Sequence, residues 1–348
     1  MGWPAVTPDV YRRLLRIEPT HGKTIRSGRN DRAMQVIARQ DFARLNSSCP
    51  KNILANSTTP EISTPENAAI WPDDIKPGHT LSGTTNAKAF NTHFPHNDNW
   101  HFANYPLDGT YTLNGTFSTN YDIVHEINTC IDVLEHKAGA PAMTDAQTLA
   151  FLIHLVGDLH QPLHVGCGYY RLDDQQIVTL VRDPAQAQGL PHDAGGNKLV
   201  WGHPGRFQPE FHAFWDDNLV SANSSVAKTL NQKIASNWTK VTLAPRPSNY
   251  HHWDEAWASD SIAVANTIYV DATGLEGTPS VDHKHNNEKV VSIDIELDEE
   301  SYKEAHTADA LNQLTRAARD LCDLLNQIQW NPEVAESGAG HGHRPHHN

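Results

Sequence analysis

His154-Leu-Val-Gly-Asp158-Leu-His160-Gln-Pro-Leu-His164 is the stretch that decides how this chain reads. It closes an apolar run, residues 144–161, that opens on Thr144, a residue suited to capping a helix N-terminus. The run stops at Pro162, which has no N–H to continue a helical ladder. A helix over 144–161 puts His154 and Asp158 one turn apart on one face. Such a His/Asp pair makes a compact nitrogen–oxygen donor set for zinc. The spacing recurs at His212 and Asp216, but a chain with 22 histidines produces such pairs by chance, so context must decide. Asp158 stands in an otherwise apolar helix, where a bare carboxylate is costly unless it is paired or neutralised. Gly157 beside it permits a close approach, and His164 emerges past the break on a different bearing. A metal held by His154 and Asp158, with another near His164, satisfies these groups. A buried His–Asp hydrogen bond beside a capping histidine satisfies them too.

The rest of the chain reads as mostly helical. Residues 32–46 carry apolar side chains at 33, 36, 37 and 42, which suits an amphipathic helix. Residues 47–118, rich in Asn, Thr, Pro and His, read as a long excursion with short helical turns. Ile123, Val124, Ile127, Ile131 and Leu134 give residues 119–138 clean helical spacing. The β-branched runs IVTLV and NKLVW within 165–206, punctuated by Gly and Pro, predict a small β-hairpin. Helices are expected near 208–235, 254–270 and 301–329, the last with Leu311, Leu314, Ala318, Leu321, Leu324 and Leu325 on one face. The expected architecture is a mainly α, single multi-helix domain over residues 32–330 with a small β-hairpin insertion. Residues 1–31 form an atypical basic segment: the first 51 residues hold ten Lys and Arg against four acids, and the remainder 17 against 37. This segment has no apolar h-region or small-residue cleavage site, so it does not read as a signal peptide. Residues 331–348 read as a disordered Gly/His-rich tail.

Composition excludes several classes. With 38% apolar and 20% charged residues the chain has material for a core and is not disordered throughout. No window approaches the roughly 18 uninterrupted apolar residues of a membrane-spanning helix. A net charge of −14 has the wrong sign for binding nucleic acid through a basic surface alone. The 22 histidines against 12 lysines point to metals or acid–base chemistry. Cys49, Cys130, Cys167 and Cys322 lack any short metal spacing, which argues against a thiolate zinc site. Two disulfides, in any of three connectivities, or four buried thiols fit equally well. Sequons at Asn46, Asn56, Asn114, Asn223 and Asn237 mark glycosylation in a secreted eukaryotic chain, or chance triplets in one rich in Asn, Ser and Thr.

The whole eleven-residue string resembles the signature of the zinc-dependent single-strand nucleases of the S-one/P-one type, whose fold is shared with zinc phospholipase C. The resemblance continues in order. Ile70-Trp-Pro-Asp73-Asp-Ile-Lys76 is similar to the family's Trp-Ala-Asp segment, and Trp100-His101-Phe102-Ala-Asn104 to its His-Phe/Tyr segment. Asp193-Ala-Gly195-Gly196-Asn197 is similar to its Gly-Gly-Asn turn, and Phe211-His212-Ala-Phe-Trp215-Asp216-Asp217-Asn218 to its His-x-x-Trp-Asp segment. The resemblance implies that Asp73, His101, His154 and Asp158 hold one zinc, and that His164, His212 and Asp216 hold a second. In the family Asp158 also reaches a third zinc, and water activated between the close pair attacks phosphorus; such ions lower the pKa of water to about 7. The catalytic set is then Asp73, Asp158 and Lys76, the last a cation near the phosphate, although a solvated lysine is the plainer reading. Phe102 falls where a ring stacks on a base, worth about 1–3 kcal/mol, or it belongs to the core. Asn104 falls where a side chain reaches the base edge, and Asn218 lines the pocket or ends a helix. His160 is not a family ligand and reads as supporting or capping; Trp215 reads as packing. The zinc charge reconciles an acidic chain with a nucleic-acid substrate.

One part departs from the family. Its third zinc is held by an N-terminal Trp and a His five residues on, whereas here Trp3 follows Met1 and Gly2, and His21 is the sole histidine before His79. Asn30-Asp31-Arg32-Ala33 stands where that His belongs. Either residues 1–31 do not belong to the mature protein or the third site is lost; two of the family's three zincs are placed. The expected function is a zinc-dependent endonuclease cutting single-stranded DNA or RNA to 5′-nucleotides, with 3′-nucleotidase activity, monomeric and secreted or periplasmic. The alternatives are a lipid-directed phosphodiesterase of the zinc phospholipase C kind, which Phe102 and Asn104 suit less well, and an inactive metal-binding homologue.

Overall fold

The computed structural model describes residues 52–330 except 203–207, 218, 220–223 and 283–286, together with Gln35, Ala38 and Arg44; for 224–229 it describes the backbone alone. The excursion before residue 118 forms short helices, α1 (Pro65–Ala68), α2 (Trp71–Asp74) and α3 (Thr85–His93), and a two-residue strand β1 (Tyr105–Pro106). Prolines at the first turns of α1 and α2 cost nothing, because the missing N–H would lack a helical partner there. Next come α4 (Ile123–Leu134) and α5 (Asp145–His160). Thr144 starts α5 with a reciprocal cap: its hydroxyl accepts from Gln147 N–H and the Gln147 side-chain Oε1 accepts from Thr144 N–H, both at 3.2 Å. Pro162 ends it.

Four strands and a one-turn helix follow: β2 (Gly166–Cys167), β3 (Tyr169–Leu172), β4 (Val178–Val181), α6 (Pro184–Ala187) and β5 (Leu199–Val200). The expected helix near 208–235 is two, α7 (Phe211–Asp217) and α8 (Ser224–Asn237). The chain closes with α9 (Trp253–Ile268), strands β6 (Gly277–Asp282) and β7 (Glu288–Asp294), and the long α10 (Glu299–Gln327).

Mainly α is thus the class, with sheets more extensive than one hairpin. The IVTLV run forms β4 and pairs antiparallel with β3 as expected. NKLVW forms β5, but pairs parallel with β7, in a three-stranded sheet ordered β5-β7-β6. The β6–β7 hairpin is the element the sequence pattern hid. Pro279 interrupts β6, and it is tolerated because β6 is the edge strand.

Fourteen of the sixteen residues of α5 are buried, so this helix is the axis of the domain rather than one of its faces. It packs against α1, α2, α4, α9 and α10. A second apolar core under the sheets gathers Tyr170, Phe211, Phe214, Trp215 and Ile293, and Leu163, just past the end of α5, belongs to it. The His154–His164 motif therefore sits where two cores meet. Among the described residues no disulfide joins two cysteines: Cys130 and Cys167 are buried thiols. This overturns the disulfide alternative for those two; Cys49 lies outside the described residues.

Candidate metal centre

Aromatic packing brings distant segments to α5. Phe151 lies one turn before His154; Phe90 stacks on it with ring centroids 5.0 Å apart, while Trp71 and Trp100 meet it edge-on at 5.8 and 5.1 Å. Such pairs add roughly 0.5–1.5 kcal/mol each beyond area burial. Trp71 stands two residues before Asp73, and Trp100 one before His101, so the rings that close the core also deliver two site residues.

The first cluster forms there. His101 Nδ1 lies 3.0 Å from His154 Nε2 and 3.0 Å from Asp158 Oδ2. His154 Nε2 is also 3.0 Å from Asp158 Oδ2, and Asp73 Oδ1 stands 3.5 and 3.6 Å from the two rings. Lys76 Nζ pairs with Asp73 Oδ1 at 2.6 Å, so it is not the freely solvated lysine of the plainer reading. The second cluster adjoins. His164 Nε2 and His212 Nε2 face each other at 3.2 Å, with Asp216 oxygens 3.9 and 3.5 Å from them. His164 Nδ1 is 3.9 Å from Asp158 Oδ2, which makes that carboxylate common to both.

Ring orientation is set from behind. His154 Nδ1 donates to Ala69 O at 2.7 Å, His164 Nδ1 to His101 O at 2.7 Å, and His212 Nδ1 to Gly195 O at 2.8 Å. Each bond engages Nδ1 and turns Nε2 inward, where a neutral ring presents a lone pair. Two such lone pairs facing at 3.2 Å repel unless a proton or a cation lies between them. Donors around a tetrahedral zinc, with bonds of about 2.0–2.1 Å, lie about 3.3 Å apart, close to the separations here. The residues fit a divalent ion with nitrogen and oxygen ligands.

The turn behind His212 is built for closeness. Ala194, Gly195 and Gly196 all have positive φ, at 54°, 58° and 83°. A Cβ on Gly195 would sit 2.2 Å from Leu163 O. The buried Asp193 carboxylate secures the turn, accepting from Gly196 N–H at 3.0 Å, Tyr269 OH at 2.5 Å and Tyr170 OH at 2.9 Å.

The electrostatics point the same way. Burial pushes His101 down to about 4, assisted by the Lys76 ammonium. Burial also drives His212 down, keeping its lone pair available. For Asp73 and Asp158 burial opposes the charge. Lys76 and His154 outweigh it at Asp73, and His154 and His164 outweigh it at Asp158, so both carboxyls stay well below the usual carboxylate range. His154 is raised well above its ordinary value: the Asp158 and Asp73 charges overcome its burial. The field between those carboxylates draws positive charge.

A cavity of about 350 Å³ has in its wall Phe102, the residue after His101, although none of the seven cluster residues lines it. Phe102, half-buried, and Asn104 line it, as do Tyr169, His192 and Glu288. Asn104 does not simply await a ligand: its Nδ2 donates to Glu288 Oε2 at 3.1 Å. His160 turns away from both clusters. Its Nδ1 bonds Val156 O and its Nε2 bonds Asp320 Oδ2, at 2.7 and 2.8 Å, which corrects the reading of it as support for the ligands. Asp320 is held in turn by Arg246. Trp215 is buried and packs, its Nε1 donating to Tyr302 OH. Asn218 and the N-terminal candidates for a third site, including Trp3, His21 and Asp31, lie outside the described residues. A third acidic–histidine group, Asp132, Glu135 and His251, went unnoticed in the sequence. There Lys137 Nζ already lies 2.6 Å from Asp132 and 3.2 Å from His251 Nε2, so an ammonium neutralises it.

Two adjoining His/carboxylate clusters lie at the heart of a mainly helical domain and form a candidate metal centre. A protein-family model described as S1/P1 Nuclease matches residues 32–329, and the chain belongs to that nuclease family. None of the curated proteins compared with the chain matches it.

Proposed function

We propose that the chain is a zinc-dependent phosphodiesterase that cuts single-stranded DNA or RNA to 5′-nucleotides and also acts on 3′-nucleotides. The observation that carries this reading is the pair of inward-facing donor clusters, with the pocket residues Phe102 and Asn104 following His101 closely in the chain. Asp73, His101, His154 and Asp158 would hold one zinc, and His164, His212 and Asp216 another. Bound zinc supplies Lewis acidity and lowers the pKa of water to about 7. Lys76 balances Asp73 and stands ready to meet a phosphate oxygen as the substrate enters. Phe102 offers a face on which any base stacks, and Asn104 stands at the edge of that base. All seven ligands come from one chain, which supports a monomer. Among the described residues no helix is long and apolar enough to cross a membrane. Exposed sequon residues Asn56 and Asn114 suit secretion, whereas Asn237 uses its amide internally, on Asn312 and Thr315.

The test is turnover of single-stranded DNA, a 3′-mononucleotide and phosphatidylcholine, after chelation and after zinc is restored. Zinc-dependent cleavage of the first two is expected. Turnover of the lipid alone would favour the phospholipase-like alternative. Zinc bound without turnover of any substrate would favour an inactive homologue lacking the third site.

A further inference from the structure

We infer that Glu288 selects the base in the pocket, presenting hydrogen-bond acceptors that favour guanine and disfavour uracil and thymine. This rests on the nuclease reading above and adds to it a residue 184 positions from Asn104 in the chain.

The polar wall of the pocket is held rigidly. Tyr169 OH donates to Asn104 O at 2.7 Å, fixing the backbone there. Ala194 N–H donates to His192 Nδ1 at 3.1 Å, so the His192 proton sits on Nε2, which faces Glu288 Oε2 at 3.3 Å. Asn104 Nδ2 donates to the same Glu288 oxygen. That orientation is chemically dictated, since the amide oxygen turned toward the carboxylate would repel it. Asn104 has therefore committed a donor to the wall and offers its Oδ1 to a ligand. Glu288 Oε1 has no partner among the described residues. Both groups are acceptors. Thr116, Ser118, Thr119 and Gln188 also line the cavity, but hydroxyls and amides donate or accept as required and do not bias the choice. Lys289, exposed and on the alternate face of β7 from Glu288, lines it too.

The acceptors on the Asn104–Glu288 edge of the pocket recognise donors. Guanine presents two adjacent ones, N1–H and the 2-amino group, for Glu288 Oε1 and Asn104 Oδ1 to accept. Adenine and cytosine present one exocyclic amine. Uracil and thymine present a single N3–H between two carbonyl oxygens, which oppose Glu288. Stacking on Phe102 serves all bases alike, so affinity and ranking come from different side chains. A good bidentate side-chain–base contact discriminates by about 5- to 150-fold.

The experiment measures binding of guanosine, inosine and uridine to the full chain by calorimetry, for the unmodified protein and for Glu288→Gln. Nucleosides carry no phosphate, so the readout is independent of turnover. Guanosine is expected to bind at least fivefold tighter than uridine, inosine to lose much of that advantage with the 2-amino group, and Glu288→Gln to bring the ratio toward one. A guanosine-to-uridine ratio within twofold, or an unchanged ratio in Glu288→Gln, overturns the inference. The inosine comparison needs no variant and guards against a folding defect. Hydrolysis of single-stranded DNA is followed in parallel. If DNA is cut but the nucleosides are not ranked, this inference alone fails; if DNA is not cut, the nuclease reading fails and the binding ratio still decides the role of Glu288.

Discussion

Replacing Gly195 with Ala tests whether the turn behind His212 sets a metal ligand. The new Cβ would lie 2.2 Å from Leu163 O, and ordinary C···O contacts begin near 3.3 Å, so the turn must yield by on the order of 1 Å. Backbone strain adds to this. At φ 58° an alanine costs roughly 1–2 kcal/mol in the left-handed region. Gly195 O receives the His212 Nδ1 proton at 2.8 Å, so the ring follows the carbonyl. Loss of such a partner typically weakens metal affinity about 10- to 100-fold, and a misplacement of about 1 Å costs about 10²-fold in rate. Gly274→Ala is the control: its φ is 90°, but nothing lies within 4 Å of an added Cβ. Metal content by mass spectrometry at fixed free zinc, turnover of single-stranded DNA and Tm are measured for both. Gly195→Ala should lose one ion and most activity, whereas Gly274→Ala should lower Tm alone. A Gly195→Ala protein with full metal content and an unchanged rate would refute the reasoning.

His164→Ala and His212→Ala should each release the same ion and lose similar activity, and the double variant should be little worse than either, because residues serving one ion act as a unit; multiplicative losses would assign them separate roles. Glu126, buried in α4, has its carboxyl raised to about 8 by burial and by the Asp122 charge. Between the ordinary carboxylate range and about pH 8 the native state binds this proton and the unfolded state does not. Its contribution is therefore full at low pH and lost as pH rises through 8. Denaturation midpoints across pH 5–9 should show that decline, and Glu126→Gln should remove it. His160→Ala should lower stability by about 1.5–3 kcal/mol, through loss of a hydrogen bond to the buried, charged Asp320, yet keep both ions; loss of metal would restore His160 to the site.

The helices announced themselves where local chemistry and burial agree. Thr144 and Pro162 bracket α5, and the leucine spacing of α10 follows its buried face. His160 was decipherable in principle. It follows Asp158 by two residues, about 200° around the helix, so it must face the opposite side, where α10 supplies Asp320. Glu288 was not decipherable. Its strand is interrupted in its partner by Pro279, and nothing local links it to Asn104 across such a separation. Lys76 could be read as solvated or functional because its distance from Asp73 depends on a short helix that sequence spacing barely defines. NKLVW reads equally well as either member of a hairpin or a lone parallel strand, and tertiary pairing with β7 decides.

His101 and His164 belong to different clusters, yet each holds the other: His164 Nδ1 donates to His101 O, and His164 O receives Ala103 N–H at 2.8 Å. With β1 paired in parallel to β2 immediately beyond, the two ligand segments form one mechanical unit. An ion that pinned His101 would thereby order His164 before a second ion arrived, so the second would bind with less conformational entropy left to lose. Zinc loading is consequently expected to be cooperative. Because such coupling is reciprocal, a chelator that strips one ion should loosen its neighbour by the same factor, and a zinc titration should rise more steeply than two independent sites allow.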